Sequence, residues 1–497
     1  MEIIPAVGEA EKLGTELLVL GVFCDGPLTG SARAVNDRSA GRLAVSIAQA
    51  DLGENVGATR LIEALPGVAA RRLLLVGLGR AETFSERAYR QGLAAVAKAL
   101  NHDPAREIVV TLAENEVPRR ALSWRMQQAG RILADGRYDF GLPDRAMREE
   151  QRSIMLLVPH ALTSELVAAL RQGVAIGEGV SFAKELGNLP PDLCTPAFIA
   201  RTASAMASQF DFSVDVLGRS DFENHGMATF LAWEKASAGA CKLIVLRSDR
   251  RMAAGRPIVL IGNGGAELDL QHEQRLRHAP IRDMRGIAGV LGAMRTVERL
   301  GLALNVVGLI VASEGGAPRG GCRPARPKEI RSPHVPAPSL LADVLSYAAQ
   351  FSPNCVIDVA ALTRASTAAL GSHASGLFAN DDALASELVK CGGSSGDAVW
   401  QLPLWDDHPR SSAMHGVESD PVDGPPEAIA AASDLARFAT AYPWAHLDIS
   451  GTGSTAGRMR SATGRPVPLL AEFLIGRARA VPGNAIFSPR SRTELHS

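Results

Sequence analysis

A polar stretch just past the middle of the sequence carries residue types that bind metal ions. It contains Asp269, His272, Glu273, His278 and Asp283. Carboxylate oxygens and imidazole nitrogens are common protein ligands of zinc and manganese. However, the five residues lack a recognised ligand spacing, and short polar clusters are usually solvated loops. We therefore interpret this stretch as a loop, and a new single-ion site is the alternative.

Other sequence patterns give little support to cofactor or thiol chemistry. The run Gly262–Gly265 is rich in glycine but lacks the lysine and the hydroxyl residue of a phosphate-binding Walker loop. The six cysteines are scattered without a Cys-x-x-Cys pair. That scatter disfavours a disulfide framework and a thiolate metal site. We expect reduced, mostly buried thiols.

Short apolar runs separated by helical patterns predict the elements that must position the polar residues. In the first part of the chain, Tyr89, Leu93, Val96 and Leu100 fall on one helical face behind a predicted cap at Ser85. The alternation predicts an α/β fold with a parallel or mixed sheet covered by helices. The runs predicted as buried strands are Leu17–Leu20, Leu73–Val76, Ile108–Val110, Ile154–Val158, Leu243–Leu246, Ile258–Ile261, Val306–Val311, Val356–Val359 and His446–Ile449.

The length of 497 residues predicts two domains. A helical pattern from Thr163 to Leu186 ends at the Gly-Asn-Leu-Pro-Pro segment 187–191, because glycine and proline stop a helix. We predict a smaller N-terminal α/β domain at 1–160, a connecting helix and turn at 161–191 and a larger C-terminal α/β sandwich at 192–480. The tail 481–497 is predicted to be disordered, and the Gly-, Pro- and Arg-rich segment Ser313–Ser339 is predicted to be an exposed or mobile loop.

The charge balance limits the classes of partner. Lys plus Arg number 52 and Asp plus Glu number 53, so the formal net charge is −1. The net charge therefore creates no overall electrostatic attraction to nucleic acid or to an anionic membrane. The sequence has no long apolar segment, and its acidic start does not resemble a signal peptide. We predict a cytoplasmic protein that does not bind membranes.

Several ordered segments resemble the leucyl aminopeptidases, the PepA-like cytosol aminopeptidases. The first runs from Glu178 to Pro191 and is followed by Cys194-Thr195-Pro196. The other matching segments are Asp283-Met284, Leu341-Ala342-Asp343, Gly376-Leu377-Phe378, Trp400–Trp405, Trp444–Ile449, Ala462–Val467 and, more weakly, Leu75–Gly79. The resemblance implies an N-terminal mixed-sheet domain and a C-terminal α/β sandwich of the zinc-exopeptidase type.

The resemblance also implies a chemistry and an assembly. Members of the family release N-terminal residues from peptides with two divalent ions, zinc or manganese, held by carboxylates and a lysine. The ions lower the pKa of a bridging water and polarise the scissile carbonyl. The family assembles as a hexamer, a dimer of trimers.

The first site segment of the family is altered in this sequence. Asn263 stands at the metal-binding lysine position and Leu268 at the bridging aspartate position. A neutral amide replaces an amine ligand poorly, and leucine offers no lone pair. Asp269 is a candidate substitute, but a shift of one residue on a strand points the side chain to the opposite face. Arg275 falls near the catalytic lysine position.

Asp283 matches a metal-binding aspartate of the family and is the retained ligand. We predict that it opens a helix, and a position at a helix N-terminus could by itself account for an aspartate there. Arg285 replaces a glycine of the family. A guanidinium at that position could fill the space that a cation occupies in relatives.

The third site segment has lost its acidic residues. Counting back from Leu341 places His334 and Pro336 at the two acidic ligand positions and Pro338 at the anion-binding arginine position. No carboxylate occurs from residue 331 through residue 342. Two dications repel each other and must be dehydrated when they bind. A site that keeps roughly one of the five usual ligands cannot offset these costs. We expect no metal cofactor.

The predicted substrate pocket also departs from the family. Ala361, Leu362, Thr363 and Arg364 stand where relatives have Thr-Leu-Thr-Gly, so a hydroxyl is lost and a large cation replaces a glycine. Glu427 likewise replaces a small residue.

Three functions remain open from the sequence. The favoured one is a non-catalytic homologue that serves as a structural or regulatory subunit, either as a homo-hexamer or in a mixed assembly with an active paralogue. The second is an aminopeptidase with a rebuilt, weak metal site. The third is a DNA-binding accessory protein, which the resemblance implies because some PepA-like proteins also act on DNA. The near-zero net charge gives this alternative no support, although one predicted loop carries a set of basic residues. These are Arg319, Arg323, Arg326, Lys328 and Arg331.

Overall fold

The computed structural model describes most of the chain. The described residues are 1–28, 30–50, 52–136, 138, 152–190, 192–210, 212–236, 241–248, 255–266, 282–313, 340–405, 427–455 and 461–480. The chain divides into two compact units, Met1–Ser181 and Phe182–Ser497. Ser313, the first residue of the predicted loop Ser313–Ser339, is instead the last residue of a strand, because its backbone pairs with Cys241. The rest of that predicted loop and the predicted tail at 481–497 lie outside the described residues.

The first unit is built on a mixed sheet with the strand order β1-β6-β5-β2-β4-β3. Its pairs are parallel except for the antiparallel pair β3 and β4. The strands are β1 (Glu2–Ala6), β2 (Leu17–Val22), β3 (Thr59–Glu63), β4 (Arg72–Gly77), β5 (Glu107–Val110) and β6 (Ser153–Leu157). The helices are α1 (Gly30–Arg38), α2 (Arg42–Ala50), α3 (Glu86–His102), α4 (Leu122–Asp135) and α5 (Ser164–Gly187), which continues into the second unit.

Strand alternation gives this sheet two apolar faces. Leu17 and Val19 of β2 pack with Tyr89 of α3, whereas Leu18 and Leu20 belong to a separate cluster. Helices cover both clusters. Because both faces of β2 are buried, its sequence is a continuous apolar run. The predicted cap is confirmed, because the Ser85 hydroxyl accepts a hydrogen bond from the amide of the residue three positions later.

The second unit contains a larger mixed sheet with the order β14-β13-β15-β12-β9-β11-β8-β7, and β10 pairs with β9. Its strands are β7 (Phe212–Leu217), β8 (Cys241–Ser248), β9 (Ile258–Ala266), β10 (Arg282–Asp283), β11 (Val306–Ser313), β12 (Cys355–Ala360), β13 (Ser375–Ala379), β14 (Val399–Gln401) and β15 (Trp444–Asp448). Its helices are α6 (Pro196–Gln209), α7 (Arg219–Asn224), α8 (Ala228–Ala236), α9 (Arg285–Leu300), α10 (Leu340–Ala348), α11 (Arg364–Leu370), α12 (Asp382–Ser395), α13 (Glu427–Ala436) and α14 (Val467–Ala480).

Four neighbouring parallel strands, β15, β12, β9 and β11, form the centre of this sheet. Their carboxyl ends meet at one edge, which is where open α/β sheets usually bind ligands. Val259 and Ile261 of β9 pack with Leu341 and Val344 of α10 on one face. On the other face the first turn of α9 lies so close that a Cβ on Gly286 would come within 2.3 Å of a β9 carbonyl oxygen.

The two-domain α/β prediction is confirmed, and so are the predicted central strands. The predicted helix from Thr163 to Leu186 is present as α5. The predicted domain limits at residues 160 and 192 remain predictions. Among the described residues, no helix is long and apolar enough to span a membrane.

Candidate functional site

The candidate site lies at the carboxyl edge of the four parallel strands. Asn263 is near the end of β9, beside Val311 of β11, and Ala360 at the end of β12 pairs with Asp448 at the end of β15. Alternation along β9 places Asn263 on the same face as Ile261. The sheet therefore brings segments that are far apart in sequence to one edge.

Asp283 and Arg285 form an ion pair beside this edge. The Oδ1 atom of Asp283 accepts hydrogen bonds from the backbone amide of Arg285 at 3.0 Å and from its Nε at 2.6 Å. The Nη2 atom of Arg285 donates to the Oδ2 atom. The two side chains are 10% and 16% exposed. Both carboxylate oxygens are thus engaged in a charge-assisted, two-pronged contact with a guanidinium.

The start of α9 corrects one prediction from the sequence. Asp283 does not open the helix; it pairs with Gly265 in the short antiparallel contact of β10 with β9. Met284 is the cap residue and the helix begins at Arg285. The physical reason is that pairing with β9 holds the backbone of Asp283 in a ladder, so helical geometry can begin only after it. The predicted core stripe of α9, from Ile287 to Val297, is buried.

The predicted substrate-pocket segment is tied to Asp448. The backbone amide of Leu362 and the hydroxyl of Thr363 each donate to the carboxylate of Asp448 at 3.3 Å. Ser450 donates to the same carboxylate from its amide at 3.0 Å and from its hydroxyl at 2.5 Å. Thr363 is the cap residue of α11, and Ala361 precedes this bonded pair. The contacts fix the backbone of this segment against the end of β15.

Asp343 has a structural use at the start of α8. Its carboxylate accepts from the amides of Thr229 at 2.7 Å and Phe230 at 3.2 Å and from the Thr229 hydroxyl at 3.2 Å. Burial raises the pKa of Asp343 against the effect of these bonds. A cavity of about 260 Å³ adjoins it, lined also by His225 and Tyr347. The Asp343 carboxylate therefore caps the N-terminus of α8.

A buried polar trio under the site was not singled out from the sequence. The Nδ1 atom of His446 lies 2.5 Å from Oδ1 of Asp358, and Nε1 of Trp444 donates to Oδ2 at 2.6 Å. Burial lowers the pKa of His446, but the charge of Asp358, its hydrogen bond and the charge of Asp448 together raise the pKa overall. The sequence does contain a signal for this trio, because Asp358 lies within the apolar strand β12 and a buried carboxylate requires a partner.

The remaining predicted site positions fall into two groups. Leu268, Asp269, Arg275, His334, Pro336 and Pro338 lie outside the described residues, as do the basic residues between positions 319 and 331. Arg364 is the first residue of α11, and Glu427 is the first residue of α13. Within the described ranges, no group of three or more His, Cys, Asp or Glu side chains is close enough to hold a metal ion.

Family comparisons cover most of the chain. The model described as "Cytosol aminopeptidase family, catalytic domain" matches residues 181–325 and 339–471. The model described as "Cytosol aminopeptidase family, N-terminal domain" matches residues 19–142.

Two curated relatives are similar over nearly their whole length. A "Probable cytosol aminopeptidase" of Azoarcus sp. is 42% identical, covering 97% of this chain and 99% of the relative. The protein of the same name from Aromatoleum aromaticum is 40% identical, covering 97% of this chain and all of the relative.

Two solved structures share the fold. A tomato leucine aminopeptidase mutant superposes with a TM-score of 0.78 at 23% identity, covering 96% of each chain. The bottromycin maturation enzyme BotP in complex with Mn superposes with a TM-score of 0.72 at 24% identity, covering 93% of this chain and 100% of that chain.

Proposed function

The chain belongs to the cytosol aminopeptidase family, and we propose that it is a non-catalytic member that serves as a structural or regulatory subunit. The family predicted from the sequence segments is confirmed at the level of both domains.

One observation carries the proposal: the carboxylate of Asp283 is already neutralised by Arg285. Asp283 is the position at which this chain retains a metal ligand of the family. Both of its oxygens accept hydrogen bonds from the guanidinium. A metal ion at this carboxylate would either lie next to the permanent positive charge of the guanidinium, which repels it, or displace that charge at the cost of the ion pair.

The other ligand positions support the same conclusion through the chemistry of their side chains. Asn263 offers a neutral amide where relatives have an amine, and Leu268 offers no donor atom. His334 and Pro336 stand at two positions that carry acidic ligands in relatives. Two neighbouring dications need several anionic oxygens to offset their repulsion and dehydration. These residues do not fit a dinuclear centre.

A subunit role explains why the scaffold is retained. The segment from Trp444 to Asp448 is completely buried, and its His446 and Trp444 still bond to Asp358. The proposed assembly is a homo-hexamer built as a dimer of trimers, or a mixed assembly with an active paralogue. Sizing the purified protein alone, and after co-expression with a catalytic relative, separates these two forms.

A second candidate is a metal-dependent aminopeptidase with a rebuilt, weak site. Identities of 40% and 42% to proteins named "Probable cytosol aminopeptidase" favour it. In that case residues such as Asp269 would have to supply ligands in place of those that are lost.

Metal analysis combined with a peptidase assay tests the proposal. The protein is purified, dialysed against Mn²⁺ or Zn²⁺, freed of loose metal and assayed with leucine p-nitroanilide. We expect less than one tightly bound ion per chain and no turnover above background. The matched control is Asp283→Asn: turnover that is present in the wild type and lost in this variant belongs to the chain itself. Two bound ions with such turnover would refute the non-catalytic assignment.

A further inference from the structure

The side chain of Arg285 occupies a narrow space bordered by two glycines. A Cβ on Gly453 would lie 3.1 Å from Cδ of Arg285, and a Cβ on Gly187 would lie 3.6 Å from its Cγ. Gly453 follows β15, and Gly187 is the last residue of α5. Two segments more than 250 residues apart in sequence thus leave room for the aliphatic part of one arginine.

We propose that Arg285 is the resident cation of this site, a side-chain replacement for the positive charge that metal ions supply in catalytic relatives. The proposal rests on the non-catalytic function proposed above, because a chain that binds two ions would need Asp283 free. It adds that the site is not merely depleted of ligands: it is rebuilt around a fixed guanidinium.

Three properties of the pair support this role. The Asp283 carboxylate is 10% exposed, so its charge needs a partner within the protein. The guanidinium meets it with two nitrogens, Nε and Nη2, which is the planar geometry that favours arginine over lysine. Arg285 is also the first residue of α9, so its position is fixed by the packing of Gly286 beneath it.

The glycine at 453 is part of the same arrangement. A methyl group there would come within 3.1 Å both of Cδ of Arg285 and of the Ile449 carbonyl oxygen. Since carbon atoms in contact normally lie about 3.5–4.0 Å apart, alanine would push the arginine stem away from its carboxylate.

Chemical rescue tests the proposal. Arg285→Ala removes the atoms of ethylguanidinium and leaves a cavity beside Asp283. We expect the melting temperature of this variant to fall, and to rise again, with saturation, when ethylguanidinium is added at millimolar concentrations. Ethylammonium at the same ionic strength is the matched ligand control, and the Asp283→Asn/Arg285→Ala double variant is the matched protein control. Neither should show a saturable rise.

A double-mutant cycle covers the case in which Arg285→Ala does not fold. Arg285→Gln keeps the stem and removes the charge. We expect Asp283→Asn to lower the melting temperature of the wild type clearly and that of Arg285→Gln by much less. Equal losses in the two backgrounds, or ethylguanidinium rescue that persists in the double variant, would overturn the resident-cation role.

The two proposals fail in different ways. If the wild type binds two ions and hydrolyses leucine p-nitroanilide, the non-catalytic function fails and the resident cation fails with it. If the wild type is free of metal and activity but ethylguanidinium does not rescue a folded Arg285→Ala, only the resident cation fails.

Discussion

Nδ1 of His446 and Oδ1 of Asp358 lie 2.5 Å apart with both side chains fully buried, in register on the adjacent strands β12 and β15. Phe378 stacks on the imidazole ring from β13. The Nε2 atom of His446 is buried and hydrogen-bonds to no residue in the described part of the chain. Within the described part of the chain, the imidazole therefore hydrogen-bonds to the Asp358 carboxylate, and the charge of Asp448 also raises its pKa.

The pair predicts a pH-dependent stability. Because the pKa of His446 is raised in the folded protein, the folded state holds a proton that the unfolded state, with a pKa of about 6.5, releases more easily. The stabilisation is complete below about pH 6.5 and is lost as pH rises through the folded pKa. Within the described ranges, the charges of Asp358 and Asp448 act on His446, and that of Asp358 also acts on Tyr442. We expect the free energy of unfolding to fall as pH rises above 6.5.

The control for this prediction is His446→Gln, which keeps a polar side chain but cannot titrate. Urea unfolding is measured for both proteins from pH 6 to pH 9. The difference in stability between wild type and variant should shrink as pH rises. A difference that is constant across the range would show that His446 does not carry the effect.

Removing the carboxylate of Asp358 should be severely destabilising. Asp358→Ala leaves the indole nitrogen of Trp444 and the imidazole of His446 buried without an acceptor. Breaking a buried pair by removing one partner typically costs about 3–5 kcal/mol. Chemical denaturation gives the value directly. The matched control is Asp215→Ala at an exposed ion pair with Arg247, which should cost less than about 1 kcal/mol.

A methyl group at Gly286 should displace the start of α9. The added Cβ would meet the carbonyl oxygens of Asn263 at 2.3 Å and Val359 at 2.5 Å. Overpacking of this kind costs about 1–3 kcal/mol. Gly476→Ala in α14 is the control, since nothing lies within 4 Å of its Cβ position and alanine is the better helix former by about 1 kcal/mol. Equal stability changes in the two variants would contradict the close contact.

Chelation should leave the stability of the protein unchanged. If Arg285 supplies the positive charge beside Asp283, no bound ion contributes to folding. An ion present at 100 times its dissociation constant would stabilise the protein by about 2.7 kcal/mol. Melting temperatures are compared after EDTA dialysis and after addition of Mn²⁺. A fall on chelation that Mn²⁺ reverses would count against both proposals.

Local sequence patterns predicted many of the helices and strands, and ordered segments predicted the family. Apolar runs such as Leu17–Leu20 and Ile258–Ile261 predicted buried strands because a continuous apolar run satisfies both faces of a covered sheet. The hydroxyl of Ser85 before an apolar helical stripe predicted the start of α3 for an equally local reason. Ordered sequence segments identified the family, and the comparisons confirmed it.

Long-range packing sets which charged side chains are paired and with which partners. Asp283 and Arg285 are two residues apart, yet their contact depends on β10 pairing with β9, which places Asp283 outside the helix. Asp358 and His446 are 88 residues apart and meet only through strand register. The space around Arg285 likewise requires Gly453 to lie beside it. Helices and strands arise from local periodicity, whereas charge pairing and close approach depend on long-range packing that one sequence does not encode in any local pattern.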